Sequence, residues 1–110
     1  MTPDEQRIEI AQACGWKYIK SKKRWNNPNG GHDYFSDLPD YINDLNAMHE
    51  AKQEIWRKEW GHRYTFNDYL AEIIKGRPVN RNEWNAETLI DATADQEAEA
   101  FLKTLNLWKP

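Results

Sequence analysis

The sequence predicts an α+β fold. The expected form is one small domain over residues 1–110, with an antiparallel sheet of about three strands sandwiched by helices in the order α-β-β-α-α-β-α. Three observations predict it. Apolar residues recur at helical spacing in PDYINDLNAMHEAKQEIWRKEWG and again in ADQEAEAFLKTL. Ahead of both lies WKYIKSKKRW, with the aromatic and β-branched positions of a strand. NNPNGG, a dense cluster of turn formers, then separates it from HDYFSDL.

Taken in order, the first helix is expected to begin at Pro3. Thr2 and Glu5 have the T-x-x-E spacing of a capping box, proline is tolerated at the first helical position, and Gly15 supplies a left-handed stop. Ile8, Ala11 and Cys14 recur on its buried side. WKYIKSKKRW and HDYFSDL then form a β-hairpin across NNPNGG. In the second helix, Ile42, Leu45, Met48, His49, Ile55 and Trp56 share a broad face, with Gly61 just past the end. A shorter helix runs from about Asn67 to Lys75, capped by Thr65 or Asn67, with Tyr69, Leu70, Ile73 and Ile74 as its apolar stripe and Gly76 as its stop.

The C-terminal third has two readings. Glu83, Glu87, Asp91, Asp95 and Glu99 are spaced by four, which on one continuous helix stacks like charges at a mild cost. Alternatively the segment breaks at Thr93, where T-A-D-Q forms a capping box with Gln96. A helix then buries Ala94, Ala98, Phe101, Leu102 and Leu105, and TLIDA becomes a short third strand. The break is preferred.

A chain of 110 residues and 13.1 kDa holds one modest core. Six Trp, five Tyr and three Phe supply apolar surface that a disordered chain lacks. A lone Cys14 excludes an internal disulfide and fits a reducing compartment. No apolar run approaches the length of a membrane helix, and MTPDEQRIEI is too polar for a signal peptide. The expected location is the cytoplasm. Net charge is −3, unevenly spread: Lys17, Lys20, Lys22, Lys23 and Arg24 crowd together, whereas Glu83 to Glu99 holds six acids and no base.

Candidate chemistry is sparse. His49-Glu50 suggests a zincin helix, but H-E-x-x-H requires histidine where Gln53 stands, and His32 and His62 fall in expected turns. His49 is read instead as a half-buried helix residue. Cys14 sits near a helix C-terminus, which does not activate a thiol, and is read as a small core residue. Walker, G-x-S-x-G and G-x-G-x-x-G motifs are absent. Asp37, Asp40 and Asp44 suit a helix N-terminus better than a catalytic dyad. The sequence therefore points to no enzyme, metal or cofactor.

The basic hairpin is the most suggestive feature. On an unbroken strand Lys20, Lys22 and Arg24 share a face with Trp16 and Tyr18, while Lys17 and Lys23 share the other with Ile19 and Trp25. Cations beside aromatic rings suit a single-stranded nucleic acid or nucleotide, with phosphates neutralised and bases stacked. Lysines that guard an exposed edge strand give the same pattern, and that explanation is the more common one. The candidate binding residues are Lys20, Lys22, Lys23, Arg24 and Trp25. Trp25, Trp60, Trp84 and Trp108 are more aromatic surface than one small core readily hides, so they serve either to close it or to form an interface.

Three segments, IEIAQACGWKY, LPDYINDLNAMHEA and DATADQEAEAFLKTLNLW, resemble the phage ABA sandwich domain family of small phage and prophage accessory proteins. The corresponding residues are Ala13-Cys14-Gly15-Trp16, Pro39 to Ala51 and Ala92 to Trp108; the hairpin loop and residues 61–86 match least. Glu97 departs from the pattern, which commonly has arginine there. The resemblance implies a sheet with helices on both sides, supports the break at Thr93 and brings no catalytic residues. It implies an accessory factor made in the cytoplasm of the bacterial host. The expected function is non-catalytic binding to a host or phage protein, in host takeover or defence evasion. The alternative is single-stranded nucleic-acid or nucleotide binding through the basic hairpin. Pairing of that hairpin with the acidic region of a second copy makes a homodimer physically reasonable.

Overall fold

The structure is a computed structural model that describes residues 1–26, 28, 35–36, 38–79, 89 and 91–110. Among these residues it is α+β, with four helices and a small antiparallel sheet: α1 (Pro3–Ala13), β1 (Lys17–Ile19), β2 (Arg24–Asn26), β3 (Phe35–Ser36), α2 (Leu45–Lys58), α3 (His62–Lys75) and α4 (Ala94–Thr104).

The first helix follows its local signals at both ends, but of its expected buried side only Ala11 and Cys14 are buried: Ile8 is exposed and Ile10 takes the inward place. Thr2 caps it by accepting a hydrogen bond from the Glu5 amide, Pro3 occupies the first turn, and Gly15 reverses the chain at φ +95°. The Trp16 amide then reaches the Ala11 carbonyl and the Gly15 amide that of Gln12, closing a Schellman motif that delivers Trp16 into the core. At the end of α4 the same motif recurs with Asn106 at φ +60°, Leu107 bonding to Leu102 and Asn106 to Lys103.

The second helix begins later than expected. Pro39 to Asn43 form a turn in which the Asp44 amide meets the Asp40 carbonyl, and the Asp44 side chain then caps α2 through the Asn46 amide at 2.9 Å. Its buried residues are Ala47, Met48, Ala51 and Ile55; Leu45 is 48 % exposed and His49 is exposed. The expected stripe therefore holds at Met48 and Ile55 and fails at Leu45 and His49. The inward face is centred on Ala47, Met48, Ala51 and Ile55, and helical spacing carries Leu45 and His49 out of it.

After only Glu59 to Gly61 the chain turns into α3, five residues before the expected start, so Thr65 and Asn67 lie inside the helix rather than capping it. Phe66, Leu70 and Ala71 are buried, and Tyr69, Ile73 and Ile74 flank them. Gly76, at φ +70°, ends the helix as expected.

At Thr93 the break is complete: the Thr93 hydroxyl accepts from the Gln96 amide, and the Gln96 side chain accepts from the Thr93 amide at 3.0 Å. TLIDA is not a strand where it is described. Leu89 has helical backbone and its carbonyl receives the Ala92 amide in a turn; Thr88 and Ile90 lie outside the described residues. Helix α4 is the centre of the fold, packing against α1, α2 and most extensively α3. Ala98, Ala100, Phe101 and Leu102 are completely buried, and Leu105 is half-buried.

The sheet runs β1-β2-β3, each pair antiparallel. WKYIKSKKRW is therefore not one strand: it folds back on itself, and the return across NNPNGG occurs between β2 and β3. Every buried apolar residue of the described core lies outside the strands, with only Trp25 of β2 against its margin. The described core is thus built helix on helix, where the expected sandwich sets the sheet between helix layers.

Candidate functional site

The five residues singled out from the sequence lie on the β1–β2 hairpin. Ile19 and Arg24 are register partners, so Lys20 to Lys23 form the loop between them. The Lys22 amide bonds to the Ile19 carbonyl at 3.2 Å, and Lys23 takes left-handed backbone at φ +52° to close the turn. Four-residue hairpin loops are commonly built this way. The expected alternation of cations along one strand consequently fails. Residues paired directly across antiparallel strands share a face, so Tyr18 and Trp25 stand together on one side and Lys17, Ile19, Arg24 and Asn26 on the other. Lys20, Lys22 and Lys23 occupy the tip. All the lysines and Arg24 are exposed. The Tyr18 and Trp25 rings lie 5.4 Å apart at 55°; Tyr18 is 47 % exposed and Trp25 half-buried.

A second site escaped the sequence reading. The short α2–α3 connection folds two helices into a hairpin with a cleft of about 760 Å³ between them. Lys52, Arg57 and Arg63 line it with Trp56, Trp60 and Phe66, and His49, Gln53 and Asn67 complete the wall, so no carboxylate faces it among the described residues. Its floor is rigidly packed: Trp56 lies 5.5 Å edge-on to Phe66 and 5.9 Å from Phe101. Lys52 stands 5.1 Å over the Phe66 ring and is ion-paired with Glu97 of α4. At the rim Trp60 is 62 % exposed, with the Arg63 guanidinium 4.2 Å over its ring. Arg57 makes only a loose contact of 3.7 Å with Glu54. The usable signal was WRKEWGHRY, where rings and cations interleave across a helix end just as they do in the hairpin.

The remaining candidates take structural places. His49 meets Gln53 on the helix surface at 3.1 Å, and no cluster able to hold a metal ion occurs among the described residues. Cys14 is buried, its thiol directed at the Ala51 carbonyl 3.8 Å away. Burial, and then the Glu54 carboxylate, push this thiol up to about 12, against a smaller opposing effect from Lys58, which keeps it protonated and a poor nucleophile. Of the six C-terminal acids, Glu97 turns inward to Lys52 and Glu99 pairs with Lys103 at 2.7 Å; Glu83 and Glu87 lie outside the described residues. No described helix is long and apolar enough to cross a membrane.

A scan against protein-family models and searches of curated proteins and of solved structures find no match to this chain.

Proposed function

We propose that this chain is a non-catalytic binding protein, an accessory factor of a phage or prophage that acts in the bacterial cytoplasm on a host or phage protein. The observation that carries the reading is the β1–β2 hairpin. It sends only the half-buried Trp25 to the margin of the core, yet it presents five cations, three at its tip and two on the face opposite the Tyr18–Trp25 pair. Core stability therefore gives little reason for its composition, whereas recognition of an acidic surface does: rings supply contact area and cations supply steering. The phage assignment rests on the three segments that resemble the ABA sandwich domain family, and the sandwich itself belongs to that reading rather than to the described fold. The sandwich is tested by NMR contacts between the sheet and the helices, which must fall on both faces of the sheet.

A second reading, single-stranded nucleic-acid binding by the same hairpin, is favoured by the three lysines at the tip next to the Tyr18–Trp25 pair. One experiment separates the two. Tagged protein is incubated with host lysate, half of it nuclease-treated, and the retained proteins are compared with those held by Lys22→Glu/Lys23→Glu. Partners that survive nuclease and disappear with the charge reversal support protein binding through the hairpin. Partners lost with nuclease move the assignment to nucleic acid, where affinity must also fall steeply with salt. If the charge-reversed protein retains every partner, the hairpin is not the binding surface.

A further inference from the structure

We propose that the cleft between α2 and α3 is a binding site for a nucleotide, with the base stacked at Trp60 and the phosphate held by Arg57 and Arg63. This goes beyond the hairpin reading and does not depend on it.

Four features lead there. First, a volume of about 760 Å³ lies within the range of small-molecule sites, roughly 300–1,000 Å³. Second, the lining combines cations with rings and lacks carboxylates among the described residues, which selects an anion that carries a planar apolar part. Third, the groups divide into fixed and available. Lys52 is held by Glu97, and Trp56 by Phe66 and Phe101, so these form a preorganised wall. Arg63 lies over one side of the Trp60 ring but has no carboxylate partner among the described residues, Arg57 is only loosely paired, and Trp60 remains 62 % exposed at the rim. An exposed indole and two guanidiniums are the components that stack a base and grip a phosphate. Fourth, the positive lining is local. Glu50, Glu54 and Glu59 lie on the same stretch of chain, and the net charge is −3, so the positive surface spans one nucleotide unit, free or unpaired in a strand, rather than a long run of phosphates.

The same chemistry is offered by a free nucleotide and by one unpaired nucleotide of a single strand. Isothermal titration calorimetry with the four nucleoside monophosphates, a short oligothymidylate, inorganic phosphate and a polyglutamate peptide distinguishes these sources. Saturable binding of at least one nucleoside monophosphate is expected, with inorganic phosphate far weaker. Trp60→Ala should weaken it roughly 10- to 100-fold, the worth of one base–aromatic stack. Arg63→Glu should abolish it, whereas Lys22→Glu/Lys23→Glu should leave it unchanged. Both cleft side chains are exposed, so circular dichroism should show an intact fold. Binding of the oligonucleotide alone, lost in the same cleft variants, identifies the single strand as the source. The proposal is overturned if no nucleotide or oligonucleotide binds, if phosphate or polyglutamate binds as well as any nucleotide, or if Trp60→Ala and Arg63→Glu bind like the parent.

Discussion

Lys52 of α2 and Glu97 of α4 form an ion pair that is largely shielded from water, their side chains only 20 % and 12 % exposed. The pair joins the central helix to the wall of the cleft, and Lys52 also lies over Phe66 of α3, so one ammonium touches three helices. Removing one partner of such a pair leaves an uncompensated charge. Glu97→Ala is therefore expected to destabilise the fold by about 3 kcal/mol, the lower end of the range for buried pairs because Lys52 keeps some contact with water. Lys52→Met in the same chain should recover most of the loss. Urea denaturation of both single variants and the double variant measures the coupling; additive effects would show that the pair is energetically idle.

The aromatic cluster behind the cleft divides into core and rim. Phe101 is completely buried against Trp56, and Phe101→Ala should cost about 3–5 kcal/mol. Trp60→Ala should stay within about 0.5 kcal/mol of the parent, as for an exposed position. Thermal melts of the two variants check the contrast. A large loss for Trp60→Ala would make that indole structural and deprive the cleft of its exposed ring.

Thr93 begins the central helix with both halves of a capping box. Thr93→Ala is expected to lower stability by about 1 kcal/mol, and Thr93→Asn by much less, since asparagine also caps. The denaturation midpoint should shift with an unchanged m-value.

Alkaline pH should weaken the fold through Cys14 and Tyr41. The Cys14 thiol is raised from 9.0 to about 12, by burial first and then by Glu54. Burial also raises the Tyr41 phenol above its ordinary 10.0, helped by the neighbouring Cys14 and Glu50 and opposed by a hydrogen bond from Trp16 and by Arg7. For acids raised in the folded state, the stabilisation is complete below the unfolded value and is lost as pH climbs through the folded one. The melting temperature should thus be independent of their titration below pH 9 and fall between 9 and about 12. In Cys14→Ala the decline should begin nearer 10, where Tyr41 alone contributes. Superimposable curves for parent and variant would refute the assignment to Cys14.

What was legible in the sequence was local. Thr2, Pro3, Gly15, Gly76 and the Thr93–Gln96 box ended or began helices where their residue types demanded, because caps and left-handed stops are satisfied by bonds to neighbours one turn away. The hairpin shows the limit. NNPNGG was recognised as a turn, but a tighter turn of three lysines and a serine was hidden, since none of them announces the left-handed backbone that Lys23 adopts.

The sequence by itself therefore determined the helix ends at Thr2, Gly15, Gly76 and Thr93, the α+β character and the crowding of cations near residue 20. Only the tertiary structure decided which face of α2 turns inward, that Glu97 points to Lys52, and that Trp56, Trp60 and Arg63 converge on one cleft. Those outcomes depend on what packs opposite each side chain. Helical spacing places Leu45 and Ala47 on different faces of one helix, but only the helices around them decide that the alanine, and not the leucine, is buried.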